Sequence, residues 1–205
     1  MNQLKLFYIV LFSLFSDVSS AQIIPEKVSI GNIPAALKYQ GTIVKAFSWV
    51  DNNSVSYILY CETDEHKSNT NPDERSKELF IYYYYGDELV WKINDFVKNC
   101  EFDISTHFID PALSVTDLND NGSIEIWVMY RLGCKSDVSP WPLKLIMYEG
   151  KEKLAIRGET RDYSETYEAE QDSPKKIDDN FKKGDKKILD YALSLWKKNN
   201  IPNWE

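Results

Sequence analysis

Five residues have the strongest claim to chemistry: Asp117, Asn119, Asn121, Ser123 and Glu125, in the run Asp117-Leu118-Asn119-Asp120-Asn121-Gly122-Ser123-Ile124-Glu125. Oxygen-bearing side chains stand at its first, third, fifth and ninth positions, with glycine at the sixth, where a loop wrapped around a hard cation turns sharply. Val128 occupies the twelfth position, where a helix–loop–helix calcium hand needs a bidentate acid, and the residues that follow alternate like a strand. The spacing therefore predicts a Ca²⁺ loop leading into a strand. Its ligands would be Asp117, Asn119, Asn121, the Ser123 carbonyl and Glu125. Only two are charged, so the affinity expected is weak, with Kd about 10⁻⁴ to 10⁻³ M as in extracellular modules. The same residues also suit a plain hairpin turn built on Asn121-Gly122. In either reading the loop fixes a turn and leaves no open position for catalysis.

Other reactive groups are sparse. The chain has no nucleophile elbow, zinc-protease helix, phosphate loop or dinucleotide fingerprint. His66 lies in a polar stretch and reads as a surface residue, and His107 as a hydrogen-bonding residue rather than a base. A Cys100–His107 dyad is conceivable, but a disulfide would consume the nucleophile. A glycosidase needs two carboxylates about 5 to 9 Å apart. Asp103 with Asp110, or Asp137 with Glu125, are arbitrary choices from an acidic sequence. Four consecutive tyrosines, Tyr82, Tyr83, Tyr84 and Tyr85, invite a sugar-binding reading, because a strand turns alternate rings to opposite faces and one pair could form an exposed platform. Tyrosine also favours strands for packing alone, the better-supported account, and the same holds for Trp49, Trp91, Trp127 and Trp141.

The compartment follows from the N-terminus. Lys5, the apolar run from Leu6 to Phe15 and the small residues Ser19-Ser20-Ala21 have the order of a secretory signal peptide. Residues 1–21 are read as that signal and 22–205 as one exported domain, periplasmic or secreted, with no later segment long and apolar enough for a membrane helix. Cys61, Cys100 and Cys134 then point to one disulfide and one spare thiol, the alternative being three buried thiols acting as small hydrophobes. Of the three pairings, Cys100–Cys134 is favoured because it closes a loop around the cation-binding segment. A net charge of −8 without a basic stripe argues against nucleic acid and anionic membrane surfaces as partners.

The elements that must position these residues are mostly strands. Residues 41–50 and 55–61 read as a hairpin, 79–85 and 88–96 as a second around Gly86-Asp87, and 143–148 with 154–158 as a third around Gly150. Residues 62–77 read as a polar loop. Ile124 to Leu132 is the strongest strand and, bulky on both faces, should be central. After an acidic stretch from Thr160 to Asp172, Ser173-Pro174 signals a helix start, Gly184 its end and Asp185 the cap of a second helix. The second helix carries the apolar stripe Ile188, Leu189, Ala192, Leu195 and Trp196. The expected fold is mainly β: an antiparallel sheet or two-layer β domain over 39–159, with C-terminal helices over 174–199 packed on it.

The runs from Ser114 through Leu132, from Cys134 through Pro140, from Leu143 through Gly150 and from Ala155 through Gly158, with Cys100-x-x-Asp103 and the segment Tyr191 to Trp196, resemble a family of small exported bacterial proteins described as surface polysaccharide biosynthesis proteins. The second half of the chain matches best. The resemblance implies a role in producing or displaying envelope polysaccharide and assigns no catalytic residue. The expectation is an exported, non-catalytic domain that binds a glycan or an envelope protein. The alternative is a polysaccharide-modifying enzyme using a carboxylate pair.

Overall fold

The computed structural model describes residues 23–51, 53–161 and 173–201. The expected export signal and most of the acidic stretch before Ser173 lie outside them. Two antiparallel sheets pack face to face. The first contains β1 (Glu26–Lys27), β2 (Thr42–Asp51), β3 (Ser54–Glu62), β4 (His66–Lys67), β5 (Arg75–Tyr85) and β6 (Glu88–Cys100). The second contains β7 (Asp103–Phe108), β8 (Ser114–Thr116), β9 (Glu125–Lys135), β10 (Pro142–Glu149), β11 (Glu152–Glu159) and β12 (Lys175–Ile177). Two helices follow, α1 (Asp179–Lys183) and α2 (Lys186–Asn199).

The three expected hairpins are β2–β3, β5–β6 and β10–β11. Gly86 and Gly150 take left-handed backbone at their two-residue turns, with φ +57° and +56°, the conformation that matches the twist of paired strands. In the second sheet the order is β12-β11-β10-β9-β7, with β8 also on β9, so β9 is central as expected.

Apolar residues on both strand faces are explained by four layers. Between the sheets, Ile58 and Tyr60 of β3, Leu79, Ile81 and Tyr83 of β5, and Trp91 and Ile93 of β6 meet Ile126, Val128 and Tyr130 of β9 and Ile146 and Tyr148 of β10. The outer face of the first sheet, with Leu59, Cys61, Phe80, Tyr82 and Tyr84, lies beneath Val28, Ile33 and Leu37 of the N-terminal segment. On the second sheet, Trp127, Met129, Leu145, Met147 and Ile156 are covered by Phe181, Ile188, Ala192, Leu195 and Trp196. Burying each such side chain is worth about 1.5–3 kcal/mol, which is why α2 docks along its apolar stripe.

Cys100 and Cys134 form the disulfide, 34 residues apart in sequence, and Cys61 is a buried free thiol. The bond ties the end of β6 in one sheet to the end of β9 in the other.

Two local expectations are corrected. Ser173-Pro174 does not start a helix; residues 175–177 instead form β12, pairing Ile177 with Ile156 and Lys175 with Gly158. The Ser173 hydroxyl accepts hydrogen bonds from Trp196 Nε1 at 3.0 Å and Asn200 Nδ2 at 2.9 Å, so it anchors α2 rather than capping α1. The second correction concerns the expected loop over 62–77: β4 lies within it, and β5 begins as early as Arg75, because His66 and Lys67 pair with Ser76 and Arg75. Gly184 and Asp185 behave as expected, Gly184 following α1 and the Asp185 carboxylate accepting from Lys187 N at 2.7 Å. No helix among the described residues is long and apolar enough to cross a membrane.

Candidate functional site: the Asp117–Glu125 loop and its cavity

The loop joins β8 to β9, which pair directly: Thr116 lies opposite Glu125. It is thus a hairpin connection whose ends are fixed by the sheet. Its interior is held by its own side chains. Asp117 Oδ1 accepts from Asn121 N at 3.1 Å and Oδ2 from Gly122 N at 3.0 Å; Asn119 Oδ1 accepts from Asn121 N at 3.2 Å, and Asn121 Oδ1 from Ser123 N at 2.7 Å. Asp120 and Gly122 adopt φ +57° and +80°, which folds the segment tightly enough to bring the three Asx oxygens around one stretch of backbone. Short Asx side chains are suited to this because they can bond the backbone two to five residues on.

Glu125 is fully buried at 0% exposure. Its Oε2 accepts from Thr116 Oγ1 at 2.7 Å and Leu118 N at 3.0 Å, and Thr116 Oγ1 in turn accepts from Trp127 Nε1 at 2.9 Å. Burial raises the Glu125 pKa above the ordinary value, the bonds from Thr116 and Leu118 oppose the rise, and the fields of Glu149 and Asp117 add to it. Glu125, expected among the ligands, is engaged here with Thr116 and Leu118 and braces the base of the loop.

The donor set is all oxygen, which fits a hard cation such as Ca²⁺. No three His, Cys, Asp or Glu side chains among the described residues are gathered closely enough to hold a metal by themselves. A cation here would therefore depend on Asn119, Asn121 and the Ser123 carbonyl beside Asp117.

The loop also reaches outward. Asn121 Nδ2 donates to Glu149 Oε1 at 2.6 Å, and Asp120 pairs with Lys187 of α2 at 3.0 Å. Between loop, hairpin β10–β11 and helices lies a cavity of about 130 Å³. Met147, Leu154, Phe181 and Ile188 give it an apolar floor, and Glu149, Glu152 and Asp185 an acidic rim. Glu149 was not singled out by the sequence. The turn Glu149-Gly150-Lys151 marks a hairpin end, and only the register places that end against the loop.

The remaining candidates separate. Tyr82, Tyr83 and Tyr84 are buried and Tyr85 is half-buried, so neither alternate pair forms an open platform. Their hydroxyls bond within the chain: Tyr82 accepts from Gln40 N at 2.9 Å, Tyr84 donates to Lys38 O, Tyr83 meets Ser56 Oγ at 3.3 Å and Tyr85 donates to Asp51 O at 3.4 Å. The run is a packing device, pinning the N-terminal segment on one face and joining the inter-sheet core on the other. Trp49, Tyr83, Trp91 and Tyr148 form a chain of rings with centroids 5.7, 5.3 and 4.2 Å apart. Trp127 is also buried, and Trp141 alone of the four tryptophans singled out stays half-exposed.

Asp103 opens β7 and Asp110 lies two residues past its other end, paired with Arg75 at 3.6 Å and Lys45 at 2.8 Å respectively. Asp137 follows the end of β9, and Glu125 starts that strand. Neither carboxylate pair converges. Cys100 is oxidised, so no Cys100–His107 dyad exists. His66 is exposed; His107 is half-buried, its pKa lowered by burial first and then by Arg131 and Lys45.

Comparison of the chain with protein-family models, curated proteins and solved structures finds no match in any of the three.

Proposed function

We propose that this chain is an exported, non-catalytic binding domain of the bacterial envelope, stiffened by Ca²⁺ at the Asp117–Glu125 loop. It would hold a glycan or an envelope protein during surface polysaccharide production or display. The observation that carries the reading is the loop itself: Asp117, Asn119 and Asn121 turn their side-chain oxygens onto one short stretch of backbone, with Glu125 bracing the base. A cation held by Asp117, Asn119, Asn121 and the Ser123 carbonyl would supply charge neutralisation and rigidity. Asn121 and Asp120 would pass that rigidity to Glu149 and α2, and so to the rim of the cavity. The disulfide is consistent with export, and the resemblance to surface polysaccharide biosynthesis proteins supplies the envelope context.

The test is the melting temperature in EDTA, in millimolar Ca²⁺ and in millimolar Mg²⁺. At ten times Kd one site adds about 1.4 kcal/mol, a shift of a few degrees. A Ca²⁺-selective rise, absent in Asp117→Ala, supports the loop as a metal site. Equal melting in all three media removes it.

One observation favours a second reading, a carboxylate-pair enzyme: Glu125 has a raised pKa and lies across from Glu149, at the cavity rim. Complete burial of Glu125 stands against it, because a general acid must reach the bond it protonates. Loss of polysaccharide turnover in Glu149→Gln would revive it.

A further inference from the structure

Among the described residues, Arg131 is a buried cation without a counter-charge. It is 5% exposed, forms no hydrogen bond or ion pair with any described residue, and its Nε is sealed from solvent without a partner. An uncompensated buried guanidinium is strongly unfavourable, so something must offset it. Part of the offset is the indole of Trp141, whose centroid lies 5.8 Å from the guanidinium carbon. Gly133, between Arg131 and Lys135 on the same face of β9, lets that ring sit against the strand; a Cβ there would come within 3.1 Å of the indole.

The neighbouring charges are already engaged. Lys135 lies 4.7 Å from the same ring but donates to Pro140 O at 2.9 Å and to Ser139 O, with Asp137 at 3.7 Å. Asp110, the acid whose field reaches His107, is paired with Lys45 at 2.8 Å. His107 is the direct cross-strand partner of Arg131. The result is a largely buried guanidinium beside an imidazole and a half-exposed indole, with no acid paired to it among the described residues.

We propose that Arg131 anchors a carboxylate-binding subsite walled by His107 and Trp141, and that its ligand is an acidic sugar unit of a glycan. This rests on the glycan-binding reading above and gives it a ligand class and a place. A single carboxylate balances one unpaired guanidinium and matches its fork bidentately, whereas a phosphate monoester brings nearly two charges. A peptide terminus is disfavoured because β9 is central, between β10 and β7, and offers no free edge to add a strand. The half-exposed indole supplies apolar surface beside the fork, as a pyranose ring requires.

The experiment is a titration of the purified protein with galacturonate and with galactose, which differ in the carboxylate. It is run in Ca²⁺ at neutral pH and constant ionic strength, following the Trp141 indole N–H by NMR. The expected result is saturable binding of galacturonate, with galactose weaker by at least about tenfold. Arg131→Met removes the preference without lowering the melting temperature, because it deletes an unpaired buried charge; Arg131→Lys, which keeps the charge without the fork, retains only part of it. Equal binding of the two sugars overturns the subsite and leaves the glycan-binding reading standing. No binding of either overturns both. An unchanged galacturonate preference in Arg131→Met removes Arg131 as anchor, and tighter binding of a short peptide than of galacturonate overturns the sugar assignment. The comparison of the two sugars on the unaltered chain stands even if a variant fails to fold.

Discussion

Glu125 and Glu149 are direct cross-strand partners on β9 and β10, one sealed in the protein and the other half-buried at the cavity rim. The pairing puts like charge opposite like charge at the base of the loop. Burial, reinforced by Glu149 and Asp117, holds the Glu125 carboxyl above the ordinary glutamate value of 4.5. A folded-state pKa above the unfolded one means that the ionised form opposes folding. That cost is present at neutral pH and is relieved as pH falls through the folded pKa toward 4.5. Urea denaturation across this range should show Glu125→Gln gaining on the parent at neutral pH, with the difference narrowing on acidification. A pH-independent difference would mean that the substitution acts through hydrogen bonding alone.

In the proposed Ca²⁺ loop Asp117 would have two jobs that can be separated. Its carboxylate holds Asn121 N and Gly122 N, at 3.1 and 3.0 Å, so Asp117→Ala should cost about 1–2 kcal/mol even in EDTA. Asp117→Asn keeps an acceptor and should lose less in EDTA, yet should respond to Ca²⁺ as weakly as the alanine variant. Chemical denaturation with and without Ca²⁺ measures both quantities.

The disulfide and the third thiol predict a redox pattern. Burial pushes the Cys61 thiol up to about 12, so it should react with a thiol reagent only after unfolding. Removing the Cys100–Cys134 bond by paired serine substitution should cost about 4 kcal/mol in the chain-entropy model. A native-state thiol reacting at the rate of a free peptide would contradict the buried position of Cys61.

Gly158 should tolerate no side chain. A Cβ there would lie 2.2 Å from Pro174 O, so Gly158→Ala must push β12 off β11. Overpacking of this kind costs about 1–3 kcal/mol or more. Hydrogen exchange should localise the loss to residues 175–177, whereas loss spread evenly over both sheets would mean that β12 is not the element displaced.

Much of the fold was legible because it rests on local chemistry. Gly86 and Gly150 sit where hairpins need left-handed backbone, Asp185 where a helix needs a cap, and Ile188, Ala192, Leu195 and Trp196 on one helical face. The strand Ile124 to Leu132, bulky on both faces, declared itself central. Local signals misled where a distant partner competed with them. Ser173-Pro174 has the form of a helix start, but Trp196 and Asn200 take the serine hydroxyl, and β11 takes the following residues as a strand.

The candidate site divides along the same line. Spacing alone marked Asp117, Asn119, Asn121 and Glu125, because a tight turn is made by neighbours in sequence. The odd cysteine count, giving one disulfide and one free thiol, was likewise readable from residue types. Register and layering decided the rest: that Glu149 meets the loop, that Tyr82, Tyr83 and Tyr84 are buried on both faces of β5, and that Arg131 is buried beside His107 and Trp141 with no acid paired to it among the described residues. Periodicity shows that alternate side chains share a face but not what covers that face, since burial and pairing depend on residues far away along the chain.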